Sequence, residues 1–229
     1  MLVPQEFFDL EGFEHQDIFP KDEPVWTPLD RLKDYVAFFF QKPWVLSTIT
    51  GHIDEPLVIY NGEIRNDLEV KTTSDKGSFN VYLKGEEVEG ASVILPGVYI
   101  FDNRIIIGSG TLVEPGTLLK GPVVIGKNTE VRQGAYLRGD CLVGNNCIVG
   151  HTTEIKSSIM LDGSKAGHFA YIGDSILGKD VNLGAGTKLA NLKMIPGSVV
   201  VKKDRKQYNT KRRKLGAILG DRTETGCNT

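Results

Sequence analysis

Apolar residues recur at every sixth position through the second half of this 229-residue chain. Stepping by six from Leu95 gives Phe101, Ile107, Val113, Leu119, Ile125, Val131, Leu137, Val143, Val149, Ile155 and Leu161. The residue two places earlier is often small or β-branched, as at Thr111, Thr117, Thr129, Ala135, Cys141, Cys147 and Thr153. Glycine often follows the aliphatic, as at Gly108, Gly126, Gly144 and Gly150. A period of six is neither the two of a strand nor the 3.6 of a helix. It describes a short strand, a turn and another short strand. Such a unit cannot bury its face alone, so units must stack. Three of them close a triangular coil of about 18 residues, and coils stack at the inter-strand distance of about 4.8 Å. The expected fold is mainly β, a left-handed parallel β-helix of hexapeptide repeats with the aliphatic pointing inward.

The strict six slips at Gly167; the next anchors are Ile172 and Leu177, five apart, then Leu183 and Leu189 at six. Residues 190–217 read as an insertion, after which the rhythm returns in AILGDRTETG. The chain stops in mid-rhythm, so a partner or further chain is expected to cap the stack. The division expected is 1–87 for an N-terminal arm, one helix and short strands, and 88–229 for the β-helix.

Residues 1–34 carry nine acids and three bases among aromatics and prolines, and read as an arm lying on another surface. Thr27 as N-cap, Pro28 at the first helical position, and Leu29, Leu32, Val36, Phe39 and Phe40 predict an amphipathic helix over 28–41. VLSTI (45–49), PLVIY (56–60) and FNVYL (79–83) read as strands, with turns at Asn61-Gly62 and Asp75-Lys76-Gly77.

Composition adds constraints. The 26 glycines exceed the usual share of about 7%, which weighs against a helical bundle. A net charge of −2 gives no global case for nucleic acid. Three cysteines without a CxxC pair suggest neither a disulfide framework nor a thiolate metal site. No apolar run reaches membrane-spanning length, and the acidic start lacks the basic region of a secretory signal. A cytoplasmic location is expected, with no membrane or nucleic-acid partner.

Candidate chemistry concentrates in 136–193. Arg138 and Lys156 are 18 residues apart, one full coil, and so share an edge of the prism. Two cations that close repel unless an anion bridges them, and a phosphate suits an Arg fork with a Lys point charge. Ordinary surface cations beside Asp140 and Glu154 are the other reading. His168, next to Gly167 and near Tyr171, is a general base or a hydrogen-bonded loop residue. His151 and His168 are 17 apart with no compact histidine pair, so no metal is expected. Asn182 and Asn191 offer amide donors, and Gly184-Ala185-Gly186 offers bare backbone N–H groups of the kind that hold an oxyanion. The segment KKDRKQYNTKRRK (202–214) has eight bases and one acid. It suits a phosphate-rich cosubstrate such as coenzyme A, a solvated loop, or, less well, nucleic acid.

These segments resemble a known family. GSKAGHFAYIGD (163–174), VNLGAGT (181–187), YLRG (136–139) and TEIK (153–156) are similar to the β-helix acetyltransferase domain of the bifunctional enzymes that act as glucosamine-1-phosphate N-acetyltransferase and N-acetylglucosamine-1-phosphate uridylyltransferase. WTPLDRLKDY (26–35) and RRKLGAILGDRTETGCNT (212–229) resemble the archaeal forms. The resemblance implies transfer of an acetyl group from acetyl-CoA to an amino sugar phosphate. It implies His168 as the base that deprotonates the sugar amine, and Arg138 and Lys156 as cations on the sugar phosphate. Tyr171 and Asn182 would contact phosphate or sugar, and Asn191 the acceptor and acetyl group. Ala185, Lys193 and Cys227 would adjoin the acetyl-CoA. Homotrimers with sites between subunits are implied too. No glycine-rich nucleotide loop is present, so nucleotidyl transfer is not expected of this chain, and Leu192 stands where the bacterial forms have tyrosine. A non-catalytic or regulatory β-helical subunit, or an acyltransferase for another (nucleotide) sugar, is the alternative.

Overall fold

Three parallel sheets form the walls of a left-handed β-helix in the computed structural model, which describes residues 2–73 and 78–229. Each coil contributes one strand to each wall. The first face stacks Ser92–Ile94, Leu112–Val113, Glu130–Val131, Ile148–His151, Lys165–His168 and Asn182–Leu183. The second stacks Tyr99–Asp102, Leu118–Lys120, Tyr136–Leu137, Glu154–Lys156, Tyr171–Gly173 and Lys188–Leu189. The third stacks Ile105–Ile107, Val123–Ile125, Cys141–Val143, Ser158–Met160, Ile176–Leu177 and Ile218–Leu219. The core is the column of inward aliphatics, with Val113, Leu119, Val131, Leu137, Val143, Val149 and Ile155 all fully buried.

The small residues hold the corners. Thr111, Thr129 and Thr153 are fully buried, and their hydroxyls donate to the carbonyls of Gly126, Gly144 and Ala166 one coil on, at 2.8–3.0 Å. The same oxygens accept backbone N–H groups, as Thr111 does from Thr129 and Thr129 from Cys147, at 3.1 Å each. A buried polar group left unpaired would cost about 1–3 kcal/mol, so the ladder fixes which coil meets which.

The phase of the repeat departs from a strict six at both ends. Leu95 and Phe101 do not point inward; Ile94 and Ile100 occupy the core instead, and Phe101 is exposed. Met160 rather than Leu161 lines the core, while Leu161 packs outside beneath the arm. The slip is not at Gly167. The inward row runs Ile155, Met160, Ala166, Ile172, Leu177, Leu183 and Leu189. The two five-residue steps, 155 to 160 and 172 to 177, both cut the corner between the second and third faces. That corner carries Lys156 and Asp174.

The outer surfaces are unequally covered. Leu2, Phe8, Phe13, Phe19, Trp26, Leu29, Leu32 and Val36 pack on Val124, Leu142, Ile159 and Ile176, so the acidic arm and its helix roof the third face. The helix α1 is Pro28–Phe38 and tightens into a 3-10 turn at Phe39–Gln41, shorter than expected. Thr27 has helical dihedrals and makes no side-chain cap; the N–H groups of Leu29 and Asp30 that a cap would serve go to the Trp26 and Thr27 carbonyls instead. Residues 45–49 form turns rather than a strand, and place Leu46 at the end of the core. Leu57–Tyr60 pairs antiparallel with Ser92–Ile94, then turns back through Asn61-Gly62, both at positive φ as a tight hairpin requires. A separate antiparallel sheet of Leu68–Thr72, Phe79–Leu83 and Glu86–Val88 shields the first face at Val93 and Leu112. The expected turn at Asp75-Lys76-Gly77 lies outside the described residues. Tyr99 and Phe101 stand exposed on the second face. Among the described residues no helix is long and apolar enough to cross a membrane.

Candidate active site

The corner between the second and third faces gathers the polar candidates. Leu137 and Ile155 are paired across successive coils, so Arg138 and Lys156 follow each other up one edge; Lys156 in turn pairs with Gly173. The one-coil spacing read from the sequence therefore places the two cations as neighbours. Both have carboxylate company. Arg138 donates to Glu154, a bond that holds the guanidinium above its ordinary pKa. Lys156 Nζ stands 4.0 Å from Asp174 Oδ2.

Tyr171 begins its strand on the second face, and its hydroxyl donates to Asn191 Oδ1 at 3.3 Å. Burial, followed by the charge of Glu154, raises the phenol's pKa, so it stays a protonated donor at neutral pH. The contact crosses the place where Gly173 has no side chain. A Cβ there would lie 2.7 Å from Tyr171 Oη and 2.8 Å from Asn191 Nδ2. Asn191, buried, gives its amide to Asp174 Oδ2.

His168 ends its strand on the first face, at the next corner, three residues before Tyr171 opens the second face, with Phe169 and Ala170 between them. Its ring is exposed and lies 6.0 Å from that of Phe169. His151 is its register partner one coil below, with Nδ1 donating to the Gln133 carbonyl at 2.9 Å. Gly186 N–H bonds to the His168 carbonyl and Asn228 N–H to the Ala185 carbonyl, which continues the column upward from His168 through Ala185 to the neighbourhood of Cys227. Cys227 is exposed, whereas Cys141 and Cys147 are buried, with burial pushing their thiols up to about 12 and about 11.

Two candidates stand apart. Asn182 lies on the first face opposite Lys165, exposed, and bridges to Glu224, away from the Tyr171–Asn191 cluster. Lys193 is in the insertion, its ammonium 3.5 Å from the Ser198 carbonyl, beside a groove lined by Asn191, Val199, Lys202 and Leu215. Sequence reasoning missed Asp174 and Arg212. Asp174 follows Gly173 in the rank of Lys156, so coil arithmetic could have found it. Arg212 comes from the aperiodic insertion, where no spacing rule applies.

The family profile of the GMPPB C-terminal domain matches residues 119–210. A bifunctional sugar-1-phosphate nucleotidylyltransferase/acetyltransferase from Sulfurisphaera tokodaii is 44% identical over 80 residues, 35% of this chain and 20% of that one. The solenoid fits a hexapeptide-repeat β-helix acetyltransferase domain. The bifunctional protein GlmU from Methanocaldococcus jannaschii is 41% identical over 78 residues, 34% of this chain and 19% of its own. The chain thus spans about a fifth of the length of these curated relatives. A hexapeptide transferase family protein from Anaplasma phagocytophilum, known as a crystal structure, is 17% identical with a TM-score of 0.30, covering 44% of this chain and 66% of that one.

Proposed function

We propose that this chain is an acetyl-CoA-dependent N-acetyltransferase whose acceptor is an amino sugar phosphate such as glucosamine-1-phosphate. The observation that carries the reading is the stacking of Arg138 and Lys156 on one edge, next to the linked pair Tyr171 and Asn191. A phosphate bound across the two cations would relieve their mutual repulsion and displace Glu154 from Arg138. His168, exposed on the neighbouring corner, takes the proton from the sugar amine as the nitrogen attacks the thioester carbonyl. The tetrahedral oxyanion then collapses and expels the coenzyme A thiolate. Asn191 orients the acceptor. Ala185 and Cys227, stacked beyond His168 with small side chains, leave room for the thioester to approach backbone N–H groups. Lys193 and the basic insertion suit the cosubstrate's phosphates, and Asn182, exposed on the first face, would contact a sugar only if one were held there. A homotrimer, in which one protomer's His168 edge meets a neighbour's cationic edge, would bring the two corners into one cleft.

Acetyl transfer from acetyl-CoA to glucosamine-1-phosphate tests this directly. The wild type is expected to turn over, and His168→Ala to lose about 10²-fold or more in kcat. An inactive wild type overturns the reading. One observation favours the other reading, a non-catalytic β-helical subunit: Arg138 is already paired to Glu154.

A further inference from the structure

Asp174 is the most enclosed carboxylate at the cationic corner, with a side chain only 9% exposed. Three groups approach it. Asn191 Nδ2 donates to Oδ2, Arg212 Nη2 donates to Oδ1 at 3.3 Å, and Lys156 Nζ stays at 4.0 Å. A carboxylate this near an ammonium in a low-dielectric corner would ordinarily close to a bonded pair. Here its two oxygens are already engaged by the amide and the guanidinium.

Arg212 is well anchored for that task. Its other terminal nitrogen donates to Asp30 of α1, and its Nε donates to the Lys214 carbonyl at 3.1 Å. The returning backbone of the insertion is tied to the same corner. Leu215 N–H bonds the Asn191 carbonyl and Gly216 N–H bonds the Asp174 carbonyl, both at 2.9 Å. One guanidinium therefore joins the N-terminal helix, the insertion and the solenoid, and only 15% of its side chain is exposed.

We infer that Arg212 is a positioning residue that occupies Asp174 and so leaves Lys156 free to take the phosphate of an anionic acceptor. This deepens the acetyltransferase reading and rests on it for the identity of the ligand. Without Arg212, the attraction of Asp174 for Lys156 goes unopposed, and the ammonium swings from its place beside Arg138. The site then keeps its shape but loses half of its phosphate clamp. Asp30 contributes at one remove, by fixing the guanidinium from the far side.

The test is the affinity for glucosamine-1-phosphate and for unphosphorylated glucosamine, measured by calorimetric titration on wild type, Arg212→Gln, Arg212→Lys, Asp174→Asn and the double variant Asp174→Asn/Arg212→Gln. Arg212→Gln is expected to weaken sugar-phosphate binding about tenfold, with glucosamine affinity changed less than twofold. Arg212→Lys, which keeps a charge near Asp174, is expected to recover most of the affinity. Asp174→Asn removes the competing charge yet keeps an acceptor for Asn191. In that background Arg212→Gln is expected to change affinity less than twofold. Equal weakening for both sugars, or full additivity of the two substitutions, overturns the inference. So does a wild type that does not bind the sugar phosphate. Binding that follows the expected pattern without any acetyl transfer would sink the proposed reaction while leaving the role of Arg212 standing. Circular dichroism and the melting temperature of each variant separate local loss from unfolding.

Discussion

Tyr171 reaches over Gly173 to hydrogen-bond Asn191 at 3.3 Å, and the bond exists because position 173 has no side chain. Gly173→Ala puts a methyl group into the space of both polar atoms. Expected is a loss of about tenfold or more in kcat/KM for acetyl transfer, with the fold retained, because only side-chain tips have to move. Steady-state kinetics beside a melting curve check both halves. Unchanged kinetics would remove Tyr171 and Asn191 from the site as a pair.

Much of this arrangement is arithmetic on the sequence. The spacing of Arg138 and Lys156 places them on one edge, and the threonine and cysteine positions fall at buried corners as the repeat requires. The errors share a cause. Ile94-Leu95, Ile100-Phe101 and Met160-Leu161 are adjacent apolar pairs, and periodicity cannot tell which member faces inward when the other is covered by another layer or left as an exposed aromatic. The short corner after Lys156 is invisible for the same reason, since Leu161 imitates an anchor, whereas the short step from Ile172 to Leu177 is legible in the spacing. Arg212 and Asp30 meet through a fold-back of 182 residues, and no local pattern encodes that.

The corner ladder sets a stability prediction. Thr129→Val keeps the shape but deletes the donor to the Gly144 carbonyl and the acceptor for Cys147 N–H. Expected is a loss of about 1–3 kcal/mol. For a chain of this length that is a fall in Tm of about 2–4 °C per kcal/mol, measured by differential scanning calorimetry. Thr129→Ser should recover most of it. A valine variant as stable as wild type would show that the hydroxyl is dispensable.

Thiol chemistry separates the cysteines. Burial holds Cys141 and Cys147 protonated near neutral pH, and Cys227 is exposed. Titration of the native protein with a chromogenic disulfide at pH 8 should show one fast thiol, and three after denaturation. Cys227→Ser should abolish the fast phase. If Cys227 adjoins the cosubstrate, saturating acetyl-CoA should slow its reaction severalfold; an unchanged rate argues against that placement.

His15 gives the arm a pH dependence. Its buried ring shares a hydrogen bond with the Tyr35 hydroxyl at 3.1 Å and meets the edges of Phe13 and Phe39. Burial lowers its pKa below the unfolded value of 6.5. The unfolded chain therefore takes up the proton first, so stability is complete above pH 6.5 and declines as pH falls from there toward the folded pKa. Wild type should lose Tm between pH 7 and pH 5, with proteolysis appearing first in residues 2–41. His15→Gln should flatten that part of the profile. Identical slopes for the two proteins would assign the acid sensitivity elsewhere.

The insertion leaves the stack after Leu189 and rejoins it at Ile218, which still pairs in register with Ile176. A coil corner therefore tolerates a change of length that a strand does not, because the strands on either side are aligned by the coil beneath them and not by each other. Chain can be exchanged at this corner as a cassette. What is swapped alters who contacts Tyr171 and Asp174, while the stacked walls inherit their alignment unchanged. Variation in such a molecule has a natural seam, and it runs beside the candidate site.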